Sequence, residues 1–189
     1  MKELTIGFLL DLLIGDPQNP FHPIRFIGKL CNSLEMIFRK ILNKSLKIAG
    51  LLTWIFSVVI VYTISFLILK LSFSINHILG TAISGIMIYF TISAKALKVE
   101  GLKVIKFLLK DDLEGARKQL SYIVGRDTNS LDKEGILRAV VETIAENMSD
   151  GVVAPLFYAG LFGAPFTFVY KAVNTMDSIF GYKNDKYKD

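Results

Sequence analysis

The run Ile48-Ala49-Gly50-Leu51-Leu52-Thr53-Trp54-Ile55-Phe56-Ser57-Val58-Val59-Ile60-Val61-Tyr62-Thr63-Ile64-Ser65-Phe66-Leu67-Ile68-Leu69 decides the class of this fold. It is 22 residues long and carries no charge. At 1.5 Å per helical residue it can cross a hydrocarbon core of ~30 Å. A second uncharged run, Phe73 to Ala94, follows a hinge expected at Lys70, Leu71 and Ser72, so the two read as a helical hairpin. The whole chain agrees. Its 189 residues are 52% hydrophobic with a mean hydropathy of +0.46, too apolar for an ordinary soluble domain of that size. The expected fold class is all-α: a polytopic helical membrane protein whose main partner is the lipid bilayer.

Toward the amino terminus, Leu4 to Ile14 is apolar but short for a span and contains Asp11. Ile14-Gly15-Asp16-Pro17 lacks the small-residue pattern of a cleavage site, so residues 1–15 read as a retained, membrane-embedded or tilted helix. Four further zones follow: a cytoplasmic loop with an amphipathic helix over 16–47, the hairpin over 48–94, a cytoplasmic helical region over 95–150, and an apolar-then-polar stretch over 151–189. The net charge of +5 could suggest nucleic acid, but no nucleic-acid motif accompanies it, and no nucleic acid is expected as a partner. The basic residues instead flank apolar segments, with Arg25, Lys29, Arg39, Lys40, Lys44 and Lys47 on one side of the hairpin and a second group from Lys95 onward. Only Lys70 lies in the turn. The positive-inside rule puts both long polar regions in the cytoplasm. The single cysteine, Cys31, has no internal disulfide partner, which suits that reducing side.

Within 95–150, Lys95, Lys98, Lys103, Lys106 and Lys110 fall near one side of a helix, and Leu97, Leu102, Ile105 and Leu109 spread over the other. That pattern fits a helix lying on anionic lipid. Asp111 or Asp112 can cap the next helix, and Ser130 or Asp132 the one after. That last helix carries Glu142, Glu146 and Asp150 four residues apart, an acidic ridge that runs straight into apolar sequence and suggests a cation site. Val152 to Val173 is long enough to cross a membrane but is broken by Gly160-Leu161-Phe162-Gly163-Ala164-Pro165. A re-entrant pair of half-helices turning at 163–165 would return the polar sequences on both sides to one face.

Four motifs remain: Gly15-Asp16-Pro17-Gln18-Asn19-Pro20-Phe21-His22-Pro23-Ile24-Arg25-Phe26-Ile27-Gly28; Ile123-Val124-Gly125-Arg126-Asp127-Thr128; Val141 to Leu156; and Asn174-Thr175-Met176-Asp177-Ser178-Ile179-Phe180-Gly181-Tyr182-Lys183-Asn184. In that order and spacing, over nearly the whole chain, they resemble the cobalamin-biosynthesis membrane family CobD/CbiB, the adenosylcobinamide-phosphate synthases. The resemblance implies ATP-dependent amide bond formation, through an acyl phosphate, joining aminopropanol or its O-phosphate to the propionate side chain of a corrinoid, adenosylcobyric acid. It implies Mg²⁺ and ATP as cofactors. Members of the family continue beyond the position of Asp189, so the chain looks like a truncated form.

Phosphoryl activation of a carboxylate gathers several negative charges, which Mg²⁺ held by one or two carboxylates and phosphate oxygens offsets. Under the resemblance, Glu146, Asp150, Asp177 and Asp16 are the candidate metal ligands, and Glu142, Glu146 and His22 the candidate catalytic groups, with His22 as base for the incoming amine. Arg126, Asp127, Asn147, Asn174 and Lys183 are the candidates for ATP or substrate binding. Each has a plainer reading: a charge run is usually a solvated face, Asp127 can cap a helix, and a juxtamembrane lysine usually meets headgroups. Two other classes compete with a synthase. A transporter component would also use broken helices and intramembrane carboxylates, although Ile48–Leu69 offers only Thr53, Ser57, Thr63 and Ser65 as polar groups. An inactive fragment or scaffold is the other, and self-association as a homo-oligomer is left open.

Overall fold

The computed structural model describes residues 1–17, 20–181 and 186–187. Among them are nine α-helices and no strand: α1 (Lys2–Ile14), α2 (Pro23–Ile41), α3 (Leu46–Ile75), α4 (His77–Tyr89), α5 (Ala94–Leu108), α6 (Leu113–Ser121), α7 (Lys133–Met148), α8 (Ala154–Phe162) and α9 (Ala164–Phe180). A five-residue π-helical turn, Ser149–Val153, joins α7 to α8.

The long apolar run forms α3, 30 residues or ~45 Å of helix. It passes unbroken through the hinge expected at Lys70-Leu71-Ser72, because none of those residues stops a helix and the Ser72 hydroxyl donates to the Ile68 carbonyl within it. The turn comes instead at Asn76, whose side chain accepts the Ile78 N–H at 2.7 Å and caps α4. The second run is likewise interrupted. α4 ends at Tyr89, and Phe90 to Ser93 leave helical pattern before α5 begins. Both α3 and the path from His77 to Leu108 are long and apolar enough to cross a membrane.

Packing on α3 is inverted relative to a soluble protein. Its buried positions are Ala49, Thr53, Ser57, Val61, Ser65, Leu69 and Ser72, mostly small or hydroxylated and about one turn apart. Trp54, Phe56, Ile64, Phe66 and Leu67 point outward. Large side chains facing out and small ones at helix contacts are what a helix surrounded by hydrocarbon needs, since lipid already solvates the large apolar groups. The same device seats α1 on α4. A Cβ added to Gly7 would lie 2.8 Å from Ile88 Cβ and 2.9 Å from the Gly85 carbonyl, and one on Gly85 would lie 2.8 Å from Ile6 Cβ.

Two cores result. One gathers Ile27, Val61, Ile88, Phe168, Ala172 and their neighbours from α2, α3, α4 and α9. The other joins α5, α6 and α7 through Val104, Leu108, Leu120, Ile136 and Val140. This second core revises the reading of 95–110. The buried face of α5 is Gly101, Val104 and Leu108, while Leu102 and Leu109 are exposed. The helix packs on protein because Gly101 admits the Ile144 side chain of α7. Asp112 and Asp132 are the caps actually used, each accepting a glycine N–H at 2.8 Å.

At Gly163, φ is +82°, a conformation that L side chains rarely adopt, and Pro165 opens α9 immediately after. The chain folds back there. Tyr158 of α8 stacks on Tyr170 of α9 with ring centres 5.1 Å apart. Residues 152–173 therefore form a helical hairpin, and its two polar flanks lie side by side.

Candidate active-site cleft

Pro155 shapes the first side of the site. It has no N–H to offer the carbonyl four residues earlier, so the helix widens into the π-helical turn, and the Gly151 carbonyl is freed. That carbonyl accepts the Ser93 N–H at 2.9 Å, which ties the α4–α5 break to the end of α7. The widened turn also takes Asp150 out of the exposed ridge. Asp150 is half-buried against α9, where Asn174 Nδ2 donates to Oδ2 at 3.3 Å and the Tyr170 hydroxyl approaches Oδ1 at 3.4 Å.

Asp11, the odd charge in the first apolar segment, builds the second side. It is fully buried, and its Oδ2 accepts the Lys95 N–H at 3.1 Å, capping α5 just after the break. The Tyr89 hydroxyl donates to the Gly15 carbonyl at 2.7 Å, so the end of α1 is bound to the end of α4. The proline-rich motif starts from that anchored point.

Between these walls lies a cleft of about 530 Å³. Asp16, His22 and Arg25 from the first motif, Ser93 from the break, and Lys171, Asn174 and Ser178 from α9 line it. His22 is 7% exposed and already committed: its Nδ1 accepts the Ile24 N–H at 3.3 Å to cap α2, and its Nε2 lies 3.0 Å from Asp16 Oδ1. With Nδ1 acting as acceptor, a neutral ring carries its proton on Nε2, which lies at ion-pair distance from Asp16 without a hydrogen bond to any described residue. The Asp16 carboxylate is exposed to the cleft, with the buried His22 ring against one of its oxygens.

The remaining candidates do not converge on the cleft lining. Glu142 is exposed and pairs with Arg126 at 2.7 Å, bringing the second motif to α7 away from that lining. Asp127 accepts the Asn129 N–H in a local turn, Asn147 donates to the Thr143 carbonyl of its own helix, and Glu146 is exposed. Asp177 lines a different cleft, with Glu35, Arg39 and Lys47. Lys183 lies outside the described residues. Among the described residues, no three His, Cys, Asp or Glu side chains gather as a metal cage, so the ridge expected to hold a cation is divided. Asp16 and Asp150 can still serve Mg²⁺ that arrives with phosphate and water ligands, since that ion needs only one or two protein carboxylates.

Lys171, Ser93, Tyr170 and Pro155 were not among the sequence candidates. Pro155 carried a usable signal, because a proline that follows a helical pattern with no turn sequence between predicts a freed carbonyl four residues back. The break at Phe90–Ser93 contains no glycine or proline and gave none.

The chain matches a family model described as CobD/Cbib protein over residues 4–189. It is 63% identical over its whole length to the cobalamin biosynthesis protein CobD of Clostridium perfringens and 50% identical, over 98% of the chain, to that of Clostridium tetani. It is 42% identical, over 97% of the chain, to the cobalamin biosynthesis protein CbiB of Salmonella typhi. The chain spans 60%, 59% and 58% of the length of these relatives, respectively. No solved structure matches it.

Proposed function

The chain belongs to the CobD/CbiB family of cobalamin biosynthesis, and from that premise we propose that it carries the corrinoid-binding cleft of a membrane-bound amide synthase. The reaction joins aminopropanol or its O-phosphate to the propionate carboxylate of adenosylcobyric acid, with ATP activating the acid. The chain is multi-pass, and the cleft opens at the cytoplasmic edge of the bilayer, where nucleotide and amine arrive. The observation that carries this reading is the meeting of the first motif, the end of the acidic helix and the fourth motif around one polar cleft.

The residues divide the work. Asp16, beside His22, takes a proton from the attacking amine; this carboxylate is exposed and within reach of solvent, which carries the proton away. Asn174, fixed by Asp150, presents its side chain to the cleft as a hydrogen-bonding group for substrate amides. Ser93, anchored on the Gly151 carbonyl, adds a hydroxyl to the same wall. Mg²⁺ entering with ATP would be held by Asp150 or Asp16 and would neutralise phosphate charge.

The outward-facing aromatic and branched side chains of α3 support membrane embedding. Its buried hydroxyls, Thr53, Ser57, Ser65 and Ser72, sit in helix contacts, with Thr53 bonded back to the Ala49 carbonyl, and Ile48 to Leu69 carries no charged group of the kind a transport path uses. The test is turnover by the protein extended to the length of its relatives. Amide product should form only when adenosylcobyric acid, amine, Mg²⁺ and ATP are all present; product formed without ATP would refute the activation step.

A further inference from the structure

Lys171 stands out in the cleft because it is a half-buried ammonium without a counter-ion. It forms no ion pair and no hydrogen bond with any described residue, although Asp16 and Asp150 lie near enough for their fields to act on it. A charge withdrawn from water and left unpaired is costly, so such a group normally has a partner. Arg25, exposed, lines the same cleft and likewise forms no ion pair with any described residue. Asn174 and Ser178 follow Lys171 at three and seven residues along α9, and so share its face. The carboxylate that does line the cleft, Asp16, lies 3.0 Å from His22 Nε2 and makes no ion pair with Lys171.

We propose that Lys171 and Arg25 form an anion subsite, which takes a phosphate or carboxylate group with Asn174 and Ser178 as flanking hydrogen-bond groups. The ammonium supplies a point charge from the wall and the guanidinium a planar fork from the rim, so the anion is gripped from two sides. The amide-synthase reading is needed only to say what the physiological anion belongs to. The subsite itself follows from the unpaired charges. The same chemistry would accept a lipid phosphate at the bilayer edge or the phosphate of a soluble substrate.

The test is calorimetric titration of the purified chain in neutral detergent with inorganic tripolyphosphate at constant ionic strength. Loss of one charge-assisted contact weakens binding by about tenfold or more. Lys171→Gln and Arg25→Gln should each do so, Lys171→Arg should restore most of the affinity, and Lys103→Gln, on an exposed lysine already paired with Glu100 at 2.6 Å, should change nothing. Arg25→Gln alters an exposed side chain, so it keeps the test valid should Lys171→Gln fail to fold. Repeating the titration in phosphatidylcholine nanodiscs with and without phosphatidylglycerol separates the sources: competition by the anionic lipid assigns the subsite to a headgroup, and its absence to a soluble phosphate. Wild-type affinity in both glutamine variants, or no binding by the wild type, would overturn the proposal. Either result leaves the turnover test of the amide synthase standing separately.

Discussion

Gly7→Ala is the substitution whose cost follows most directly from the packing. The added Cβ would lie 2.7 Å from Ile88 Cγ2, 2.8 Å from Ile88 Cβ and 2.9 Å from the Gly85 carbonyl oxygen. Ordinary contact needs roughly another angstrom, and two of these three atoms belong to parts that cannot rotate away. The methyl must therefore push α1 off α4. Overpacking of this kind costs about 1–3 kcal/mol, against a helix-propensity gain of about 0.5–1 kcal/mol from replacing glycine. The net loss is at most about 2.5 kcal/mol. At about 2–4 °C per kcal/mol for a chain of this size, the melting temperature in detergent should fall by up to about 10 °C, and should lie below that of a control that gains propensity without a clash. Gly50→Ala is the matched control, because a Cβ there meets nothing within 4 Å and only the propensity gain remains. Asp11 sits one helical turn beyond Gly7, so the same displacement should also loosen the cap on Lys95 and speed hydrogen exchange at the start of α5. Equal melting temperatures for the two alanine variants would refute the close-approach argument.

Three other expectations follow from the site. Asp150→Ala removes the acceptor for Asn174 and Tyr170 and should lower kcat/KM of the extended protein by about tenfold or more, the loss typical of a hydrogen bond to a charged group; steady-state kinetics would show it. Glu142→Gln breaks an exposed pair with Arg126, so stability should change by less than about 1 kcal/mol and activity should be nearly retained; a large loss of turnover would return the acidic ridge to the chemistry. A cysteine at Ser178 in an otherwise cysteine-free chain should resist an impermeant maleimide applied outside intact cells, and one at Ser74, at the carboxyl-terminal end of α3, should react. The reverse labelling pattern would invert the topology.

Hydropathy and charge were enough to determine a chain built of apolar helices, the fold-back near Gly163, and the four motifs that mark the family. Each of these is local: a run without charge, a glycine beside a proline, a fixed order of short polar sequences. The ends of the second apolar run were not legible, because the break at Phe90–Ser93 is tied down by Asp11 and Gly151 from far along the chain, and its local bonds, such as the Thr91 hydroxyl on the Ile88 carbonyl, have no glycine or proline to announce them. The acidic ridge misled for a related reason. Counting at 100° per residue assumes an uninterrupted α-helix, and Pro155 widens the turn so that Asp150 leaves Glu142 and Glu146 and joins Asn174. Which charged residues share a cleft, and that Lys171 and Arg25 line it with no ion pair to any described residue, depended on how the helices pack. Periodicity along one helix reports the faces of that helix, whereas a cleft lined by the loop after α1, by α2, by the α4–α5 break and by α9 exists only once their crossings are set.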